Sequence, residues 1–442
     1  MAGDHISRLF FLSQNSIFAS MPRAELLIEN IGQLVTCTGG RKGPPVSDFE
    51  KAMRLQANVA VAIGDGKILA IGKKEEIAQQ FGVSGVETID AEGRLATPGL
   101  VDCHTHPVFA GDRKEEFEMR NTGVTYEAIA KKGEGIFSTV QATRKASFED
   151  LEKSLIKRLN RFLEAGATTL EAKSGYGLSY EDELKLLEVI QSVNKKHPVE
   201  LVPTFLGAHT IPPEFKKNRK EYVQLLTEKL LPEVARRKLA VFCDVFLERI
   251  AFSYPEAKEI LQTAKKFGLM PKLHADQLSN TNGGKLAAEV DAVSADHLEY
   301  LSDSGIKALK KSGAIAVLLP SASFFLRSEK SPPVKKLSAA KVPIALATDF
   351  NPGTSPNYSL PLTMTMACVN WGFSAARALL AVTRNAACAL GLEEKIGYLE
   401  TGKQADLVIW EAQDYRELSY FTGVNPTRTV VKKGKVVWQK QN

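Results

Sequence analysis

The 442-residue chain is poor in cysteine and contains no long hydrophobic stretch, and both shortages restrict what it can be. Its five cysteines are odd in number, widely separated and include no CxxC pair. This pattern argues against a disulfide framework and fits a reducing compartment. No apolar stretch reaches the roughly 18 residues that a membrane-spanning helix needs. We therefore expect a cytoplasmic protein.

A dense basic stripe with interleaved aromatic residues is also missing, although Lys and Arg outnumber Asp and Glu by 57 to 51. The resulting formal charge of +6 is small for a chain of this length. Lysine-rich stretches such as 216–220 are typical of solvated faces rather than of nucleic-acid interfaces. We expect neither nucleic acid nor a membrane among the partners.

Two β-rich ends flank a long middle region of a different pattern. Apolar, β-branched stretches broken by Gly-Asp-Gly or Lys-Gly-Lys turns characterise both ends. The ends most simply meet as one small β-sandwich, for which we expect residues 23–95 and 396–442. Residues 1–22 are expected to form an N-terminal extension.

The middle region alternates short apolar stretches with amphipathic helical patterns, as expected for parallel strands that are buried on both faces. In one connecting helix Ser147 is the expected N-cap, and Leu151 and Leu155 begin a buried face. The eight strand candidates are LVDCH (100–104), TTLEAK (168–173), ELVPTFL (200–206), VFCDVFL (241–247), PKLHAD (271–276), AVSADH (292–297), AIAVLLP (314–320) and PIALATD (343–349). Eight such units predict an α/β fold, a (β/α)8 TIM barrel over residues 96–395.

Five of the seven histidines fall at or just after the end of a predicted strand, where a TIM barrel collects its catalytic groups. Two of them, His104 and His106, are two residues apart in an extended segment, so their side chains point the same way. Such a pair alone is a weak indication of a metal site, because a buried rim histidine explains each residue singly. The combination is much more specific, and its members are His104, His106, His209, His274 and His297.

Three imidazoles and one carboxylate suit a divalent ion, and we predict one ion per chain on His104, His106, His274 and Asp349. Zn²⁺, Fe²⁺ and Mn²⁺ all accept such ligands, so the sequence does not identify the metal. A bound ion lowers the pKa of its water and polarises the carbonyl that the water attacks. Asp349 is the expected base, and His297 is expected to hold the water or the developing oxyanion.

Longer motifs carry a family resemblance. TPGLVDCHTHPVFAGDR (97–113) resembles the first metal motif of the amidohydrolase superfamily, and GYLETGKQADLVIW (397–410) resembles the segment with which many members re-enter their β-sandwich. Within that superfamily the chain resembles the imidazolonepropionase family. The stretches that carry this closer resemblance are HPVFAGDR (106–113), EAKSGYGL (171–178), PTFLGAHTIPPE (203–214), LHADQLSN (273–280), SADHLEY (294–300) and ATDFNPGTSPN (347–357).

The resemblance implies a hydrolase that opens the ring of 4-imidazolone-5-propionate to give N-formimidoyl-L-glutamate, the third step of histidine degradation. It also implies zinc or iron as the metal, a small anionic substrate as the partner, and a homodimer. Arg113 would bind the propionate carboxylate, which agrees with the paired donors of a guanidinium. The further substrate contacts that the resemblance implies are Tyr176, His209, Gln277, Asn351, Gly353 and Thr354.

One departure and several alternatives remain. Some relatives carry a carboxylate where this chain has Gln277, and because an amide cannot accept a proton, acid–base work falls on Asp349 and His297.

Another mononuclear cyclic amidohydrolase or an aromatic-base deaminase is the main alternative, although such an enzyme has less need for Arg113. A two-metal enzyme is disfavoured because the fourth strand ends without a bridging lysine. A non-catalytic binding protein is disfavoured because all four metal ligands are present. Which residue protonates the leaving nitrogen stays open.

Overall fold

A computed structural model describes residues 23–39, 43–81, 83, 85–124 and 135–441 of the chain. The predicted N-terminal extension, residues 1–22, lies outside the described residues. The strands are β1 (Leu26–Val35), β2 (Leu55–Gly64), β3 (Lys67–Gly72), β4 (Glu87–Asp90), β5 (Leu95–Pro98), β6 (Leu100–Asp102), β7 (Ala167–Lys173), β8 (Glu200–Ala208), β9 (Phe242–Leu247), β10 (Met270–Ala275), β11 (Ser294–His297), β12 (Ile315–Leu318), β13 (Ile344–Leu346), β14 (Leu407–Trp410), β15 (Thr427–Lys432) and β16 (Lys435–Gln439).

Helices fill most of the connections between these strands. The α-helices are Phe49–Met53, Lys74–Phe81, Lys114–Asn121, Ile136–Lys145, Phe148–Glu164, Tyr180–Asn194, Arg219–Gln224, Leu231–Arg236, Tyr254–Lys266, Gly283–Glu289, Asp303–Ser312, Pro320–Phe325, Val334–Ala339, Leu360–Trp371, Ala375–Ala381, Arg384–Ala389 and Glu417–Tyr420. A 3-10 turn at Pro213–Phe215 and a π-helical segment at Leu225–Leu230 complete the helical elements of the described residues.

The strands β6 to β13 form the predicted barrel, because each is parallel to the next one along the chain. The barrel closes at its C-terminal end, where the main-chain N–H of Asp349 donates to the carbonyl of His104 at 3.1 Å. The N–H of His106 donates in turn to the carbonyl of Phe350 at 2.8 Å. Closure therefore brings the first and last strands together, and the prediction of a TIM barrel is confirmed.

Both ends of the chain form a second unit, a mixed eight-stranded sheet. Its order is β16-β15-β14-β5-β1-β2-β3, and β4 also pairs with β1. The strand β1 is antiparallel to β2 and parallel to β4 and β5. Strands from both ends share one apolar core, in which Ile28 and Val61 pack with Leu407 and Val431. The finer division of the chain at residues 95–96 and 395–396 stays a prediction.

The helix that follows Ser147 supports the rim of the barrel. The Ser147 hydroxyl accepts a hydrogen bond from the main-chain N–H of Asp150 at 3.1 Å, which is the predicted N-cap. The predicted apolar face of this helix is buried. On the same helix, Nη1 of Arg158 donates to the carbonyls of Pro107 and Phe109 at 2.9 and 2.8 Å. This contact holds the segment that follows the two rim histidines of β6.

Two further observations concern the cysteines and the helices. All five cysteines have free thiols, and only Cys368 is partly exposed. Among the helices of the described ranges, none combines the length and hydropathy that crossing a lipid bilayer requires.

Candidate active site

The C-terminal end of the barrel opens into a cavity of about 610 Å³. The sequence-predicted site residues that line it are His106, Arg113, Tyr176, His209, His274, Gln277, His297, Asp349, Asn351 and Thr354. The other two lie against lining residues, since His104 is buried beside His106 and Gly353 packs against Arg113. The fold therefore brings all of the predicted site residues to one place.

Potential metal ligands meet at the base of this cavity. Nε2 of His104 and Nε2 of His106 are 3.3 Å apart, and they lie 3.5 and 3.4 Å from Oδ1 of Asp349. His274 adjoins this group, because its ring centroid lies 4.5 Å from that of His104 and 5.4 Å from that of His106. A tetrahedral ion with bonds of about 2 Å needs donor atoms about 3.3 Å apart. The donor atoms of His104, His106 and Asp349 are therefore spaced as one such ion requires, and the ring of His274 lies beside them.

His297 lies next to the same ligands. His104, His274 and His297 place potential ligand atoms within 4.8 Å of one another. Nδ1 of His297 and Nδ1 of His106 are buried and make no hydrogen bond within the described part of the chain. Unpartnered buried nitrogens are costly unless a ligand or water completes them. His297 thus lies beside the predicted metal ligands, which is where the sequence analysis placed its role.

Burial keeps these imidazoles in the form that binds metals. It lowers the pKa of His104 and of His106 well below the usual range, and the nearby Lys173 and His274 add to the effect. Burial also lowers the pKa of His297 to about 3. His104, His106 and His297 are therefore neutral at physiological pH, and neutral imidazole is the ligand form of histidine. This donor set fits one divalent ion.

Two buried carboxylates support the ligand histidines from behind. Nδ1 of His104 lies 2.6 Å from Oδ2 of Asp296, and Nδ1 of His274 lies 2.9 Å from Oδ2 of Asp244. For His104 this hydrogen bond fixes the orientation of the ring and leaves Nε2 as the nitrogen available to a metal. For His274 the contact is one of charge without a hydrogen bond at Nδ1, and Asp244 instead accepts the main-chain N–H of His274 at 3.2 Å. Neither aspartate was among the residues predicted from the sequence.

Two lysines balance the charge of these carboxylates inside the barrel. Nζ of Lys173 lies 2.6 Å from Asp244 and 2.9 Å from Glu171, and Nζ of Lys272 lies 2.8 Å from Glu171. Burial alone raises the pKa of Asp244, but His274 and Lys173 outweigh it and hold that pKa well below its usual range. One indication of this network is visible in the sequence. The otherwise apolar strands β7, β9, β10 and β11 each contain at least one charged residue.

Tyr176 and His209 form an aromatic wall beside His106. The rings of His106 and His209 are stacked, with centroids 5.2 Å apart, and the ring of Tyr176 lies 5.3 Å from that of His209. Nδ1 of His209 lies 2.9 Å from the carbonyl oxygen of Gly175. The buried carboxylate of Glu183 accepts the main-chain N–H of Gly175 and those of the two residues after Tyr176. Glu183, which was not predicted, thus holds the loop that carries Tyr176.

Arg113 is held by a residue that was not predicted either. Its Nε donates to Oε2 of Glu116 at 2.7 Å, and its Nη2 donates to Oε1 at 2.5 Å. Gly353 packs against the guanidinium, and the side-chain oxygen of Asn351 accepts the N–H groups of Gly353 and Thr354 at 2.9 and 2.7 Å. Asn351 therefore stabilises the turn after β13, and Gly353 in this turn contacts Arg113.

Comparisons with known proteins identify the family. Residues 95–437 match the model of the amidohydrolase family. The chain belongs to the amidohydrolase family. Imidazolonepropionases from Geobacillus kaustophilus (strain HTA426) and Geobacillus thermodenitrificans (strain NG80-2) are each 47% identical over 414 residues, which is 93% of this chain and 97% of theirs. The imidazolonepropionase of Shewanella sp. (strain MR-4) is 48% identical over 86% of this chain and 93% of its own. The resemblance to the imidazolonepropionase family is therefore confirmed.

Solved structures share the amidohydrolase fold at lower identity. A 5-methylcytosine deaminase from Klebsiella pneumoniae with 5-fluorocytosine has a TM-score of 0.71 and 20% identity over 94% of this chain and 98% of that one. An adenosine deaminase from Xanthomonas campestris with bound zinc has a TM-score of 0.69 and 19% identity over 94% and 93%. Likeness at this level concerns the fold alone. Metal dependence is a property of the amidohydrolase family, and the histidines and Asp349 are its candidate site here.

Proposed function

We propose that the chain hydrolyses 4-imidazolone-5-propionate to N-formimidoyl-L-glutamate, the third step of histidine degradation. The observation that carries the proposal is that Arg113 lines the same cavity as His106, His274 and Asp349. A small ring with a propionate arm needs a hydrolytic centre for the ring and a guanidinium for the arm. The name of relatives that are 47% identical over 93% of this chain supports the same reaction.

In this proposal His104, His106, His274 and Asp349 hold one divalent ion, either zinc or iron. When bound, the ion supplies an acidified water molecule and a positive charge that polarises the ring carbonyl. The protein surrounds these ligands with buried groups, which excludes bulk water and strengthens every electrostatic interaction inside.

In this proposal Asp349 transfers the protons, and His297 stabilises the negative charge that develops. Burial raises the pKa of Asp349, so its carboxylate accepts a proton more readily than an exposed one. Asp349 takes a proton from the attacking water and delivers it to the ring nitrogen as the C–N bond breaks. His297 stays neutral, because its pKa is lowered to about 3, and it donates one N–H to the oxygen on which negative charge develops.

The remaining residues bind the substrate. Arg113 pairs with the propionate carboxylate, and Gln277 offers its amide only for hydrogen bonds, since it cannot accept a proton. The contacts proposed around the ring and the arm are Tyr176, His209, Gln277, Asn351, Gly353 and Thr354. We further propose that the protein acts in the cytoplasm as a homodimer on this small anionic substrate.

The experiment compares substrates on one preparation of the purified protein. Bound metal per chain is measured first, and hydrolysis of imidazolonepropionate, a hydantoin and guanine is then followed in parallel. We expect the highest kcat/KM with imidazolonepropionate. A higher value with guanine would instead identify an aromatic-base deaminase, and a higher value with the hydantoin would identify another cyclic amidohydrolase. Either result overturns the proposal.

A further inference from the structure

We infer that Glu116 and Gly353 make the site specific for a substrate with a carboxylate arm, because together they fix the orientation of Arg113. This role rests on the proposed function, in which Arg113 binds the propionate. In this role both residues act through Arg113 and are positioning residues, and Gly353 does so in addition to the substrate contact proposed for it above.

Glu116 occupies one edge of the guanidinium. Nε and Nη2 of Arg113 both donate to it, at 2.7 and 2.5 Å, and the two side chains are only 7% and 5% exposed. A bidentate pair of this kind holds the guanidinium in one plane. An incoming carboxylate is left with Nη1 and the outer hydrogen of Nη2. The arm of the substrate therefore has one direction of approach.

Gly353 provides the space that this orientation needs. A Cβ atom at residue 353 would lie 1.9 Å from Nη1 of Arg113 and 2.4 Å from its Cζ. Such distances are far inside van der Waals contact, so any side chain here displaces the guanidinium. The backbone of Gly353 is outside the left-handed region, so the glycine is required for space and not for its conformational freedom.

Arg120 joins the two positioning residues. Its Nη2 donates to the carbonyl oxygen of Gly353 at 2.8 Å, and its Nε lies 3.8 Å from Oε1 of Glu116. The turn that presents Gly353 is organised by Asn351, two residues after Asp349. The orientation of the arginine is therefore tied directly to the segment that supplies the carboxylate ligand.

The negative charge of Glu116 opposes the binding of an anion. Glu116 therefore favours the carboxylate substrate only by orienting Arg113. A sharp test keeps the charge and moves its position, and Glu116→Asp does this by removing one methylene group. Gly353→Ala tests the same orientation from the other side by adding one methyl group. Matched controls are Glu115→Asp, on the exposed face of the same helix, and Gly72→Ala, where the nearest atom to a Cβ is 3.7 Å away.

The variants are compared on imidazolonepropionate and on its uncharged side-chain amide. We expect KM for the carboxylate substrate to rise about tenfold in each test variant, since a charge-assisted bidentate contact is disturbed. We expect smaller changes in kcat, a smaller rise in KM for the amide than for the carboxylate, and unchanged kinetics in both controls. In an Arg113→Ala background, neither test substitution should have a further effect.

A second measurement is independent of turnover. Calorimetry with imidazole-4-propionate and its amide measures the preference for the carboxylate in the metal-loaded protein, and this preference should fall about tenfold in both test variants. If one variant does not fold, as judged by thermal unfolding, the other provides the result.

An equal loss for charged and uncharged ligands, or additive effects with Arg113→Ala, overturns the inference. A wild-type protein that does not hydrolyse imidazolonepropionate refutes the proposed function itself, whereas an active wild type with unchanged preference in the variants refutes only this inference.

Discussion

Two walls of the cavity are built on different parts of the fold. The metal wall consists of His104, His106, His274 and Asp349, which lie at the ends of barrel strands or just after them. The arginine clamp consists of Arg113, Glu116 and Gly353, which lie on a loop, a short helix and a turn. The strands β7 to β12 are paired on both sides, and the segments after β6 and β13 are joined by main-chain hydrogen bonds, whereas the clamp depends on a few side-chain contacts.

The difference suggests a division of work between the scaffold and the loops. Buried carboxylates on neighbouring strands back the ligand histidines, with Asp296 on β11 behind His104 and Asp244 on β9 behind His274. The clamp has one buried carboxylate, Glu116, and the space left by a glycine. We expect changes in the metal wall to lower kcat or metal affinity, and changes in the clamp to raise KM. The predictions below test this division in order of decreasing effect.

The largest effect is expected for Asp349→Asn, which keeps the shape of the side chain and removes its charge and basicity. We predict a decrease in kcat of at least about 10³-fold, because a ligand and a proton acceptor are lost together. Steady-state kinetics with metal analysis of the same samples measures it. Asp303→Asn, an exposed residue paired with Lys336, is the control and should be unchanged. A decrease in kcat of less than tenfold with metal bound would remove Asp349 from the mechanism.

Arg113→Ala is expected to act on the other wall. We predict a decrease in kcat/KM of about 10²-fold that lies mainly in KM, since a buried charge-assisted contact to the substrate is lost. Metal content should stay at the wild-type level. Kinetics on the carboxylate substrate and its amide provide the measurement. The division between the walls fails if KM is unchanged or if the metal is lost with the arginine.

Asp296→Asn tests the support behind the metal wall. The amide still contacts Nδ1 of His104 but no longer supplies a negative charge, so we predict metal affinity about 10- to 100-fold weaker. Competition with a chelator measures this affinity, and kcat at saturating metal should change less. Asp291→Asn, the same change at an exposed position, should leave affinity unaltered. Equal affinities in wild type and Asp296→Asn would mean that the ring of His104 is held by packing alone.

The smallest effect is expected outside both walls, for Ser147→Ala. Loss of the N-cap hydrogen bond should lower the free energy of unfolding by about 1 kcal/mol. Because Ser147 is exposed and does not line the cavity, kcat and KM should remain at wild-type values. Denaturant unfolding and kinetics on the same preparation measure both quantities. A change in KM would show that helix position is transmitted to the clamp.

Much of the barrel could be predicted because its signals are local. Continuous apolar stretches indicate strands buried on both faces, and each of the eight predicted stretches overlaps a barrel strand. Parallel strands place their C-terminal ends at one rim, so histidines such as His104, His274 and His297 at predicted strand ends could be assigned to one site. The Ser147 cap is equally local, because donor and acceptor are three residues apart.

Other features could not be predicted because they depend on which side chains meet across the barrel. Nothing near Asp244 in the sequence indicates that its partners are Lys173 and His274. Glu116 lies on a highly charged helix, where the sequence pattern indicates exposure. It is buried against Arg113 because that helix packs on the turn after β13.

The sequence by itself determined the barrel, the β-rich unit that both ends of the chain form together, and the residue types that gather at the rim, because periodicity and strand-end position are properties of short segments. Tertiary structure alone decided which carboxylate backs which histidine, and how the arginine is oriented. The first choice depends on distances between side chains far apart in the chain. The second depends on the contact of Arg113 with the distant Gly353, which adds to its local ion pair with Glu116.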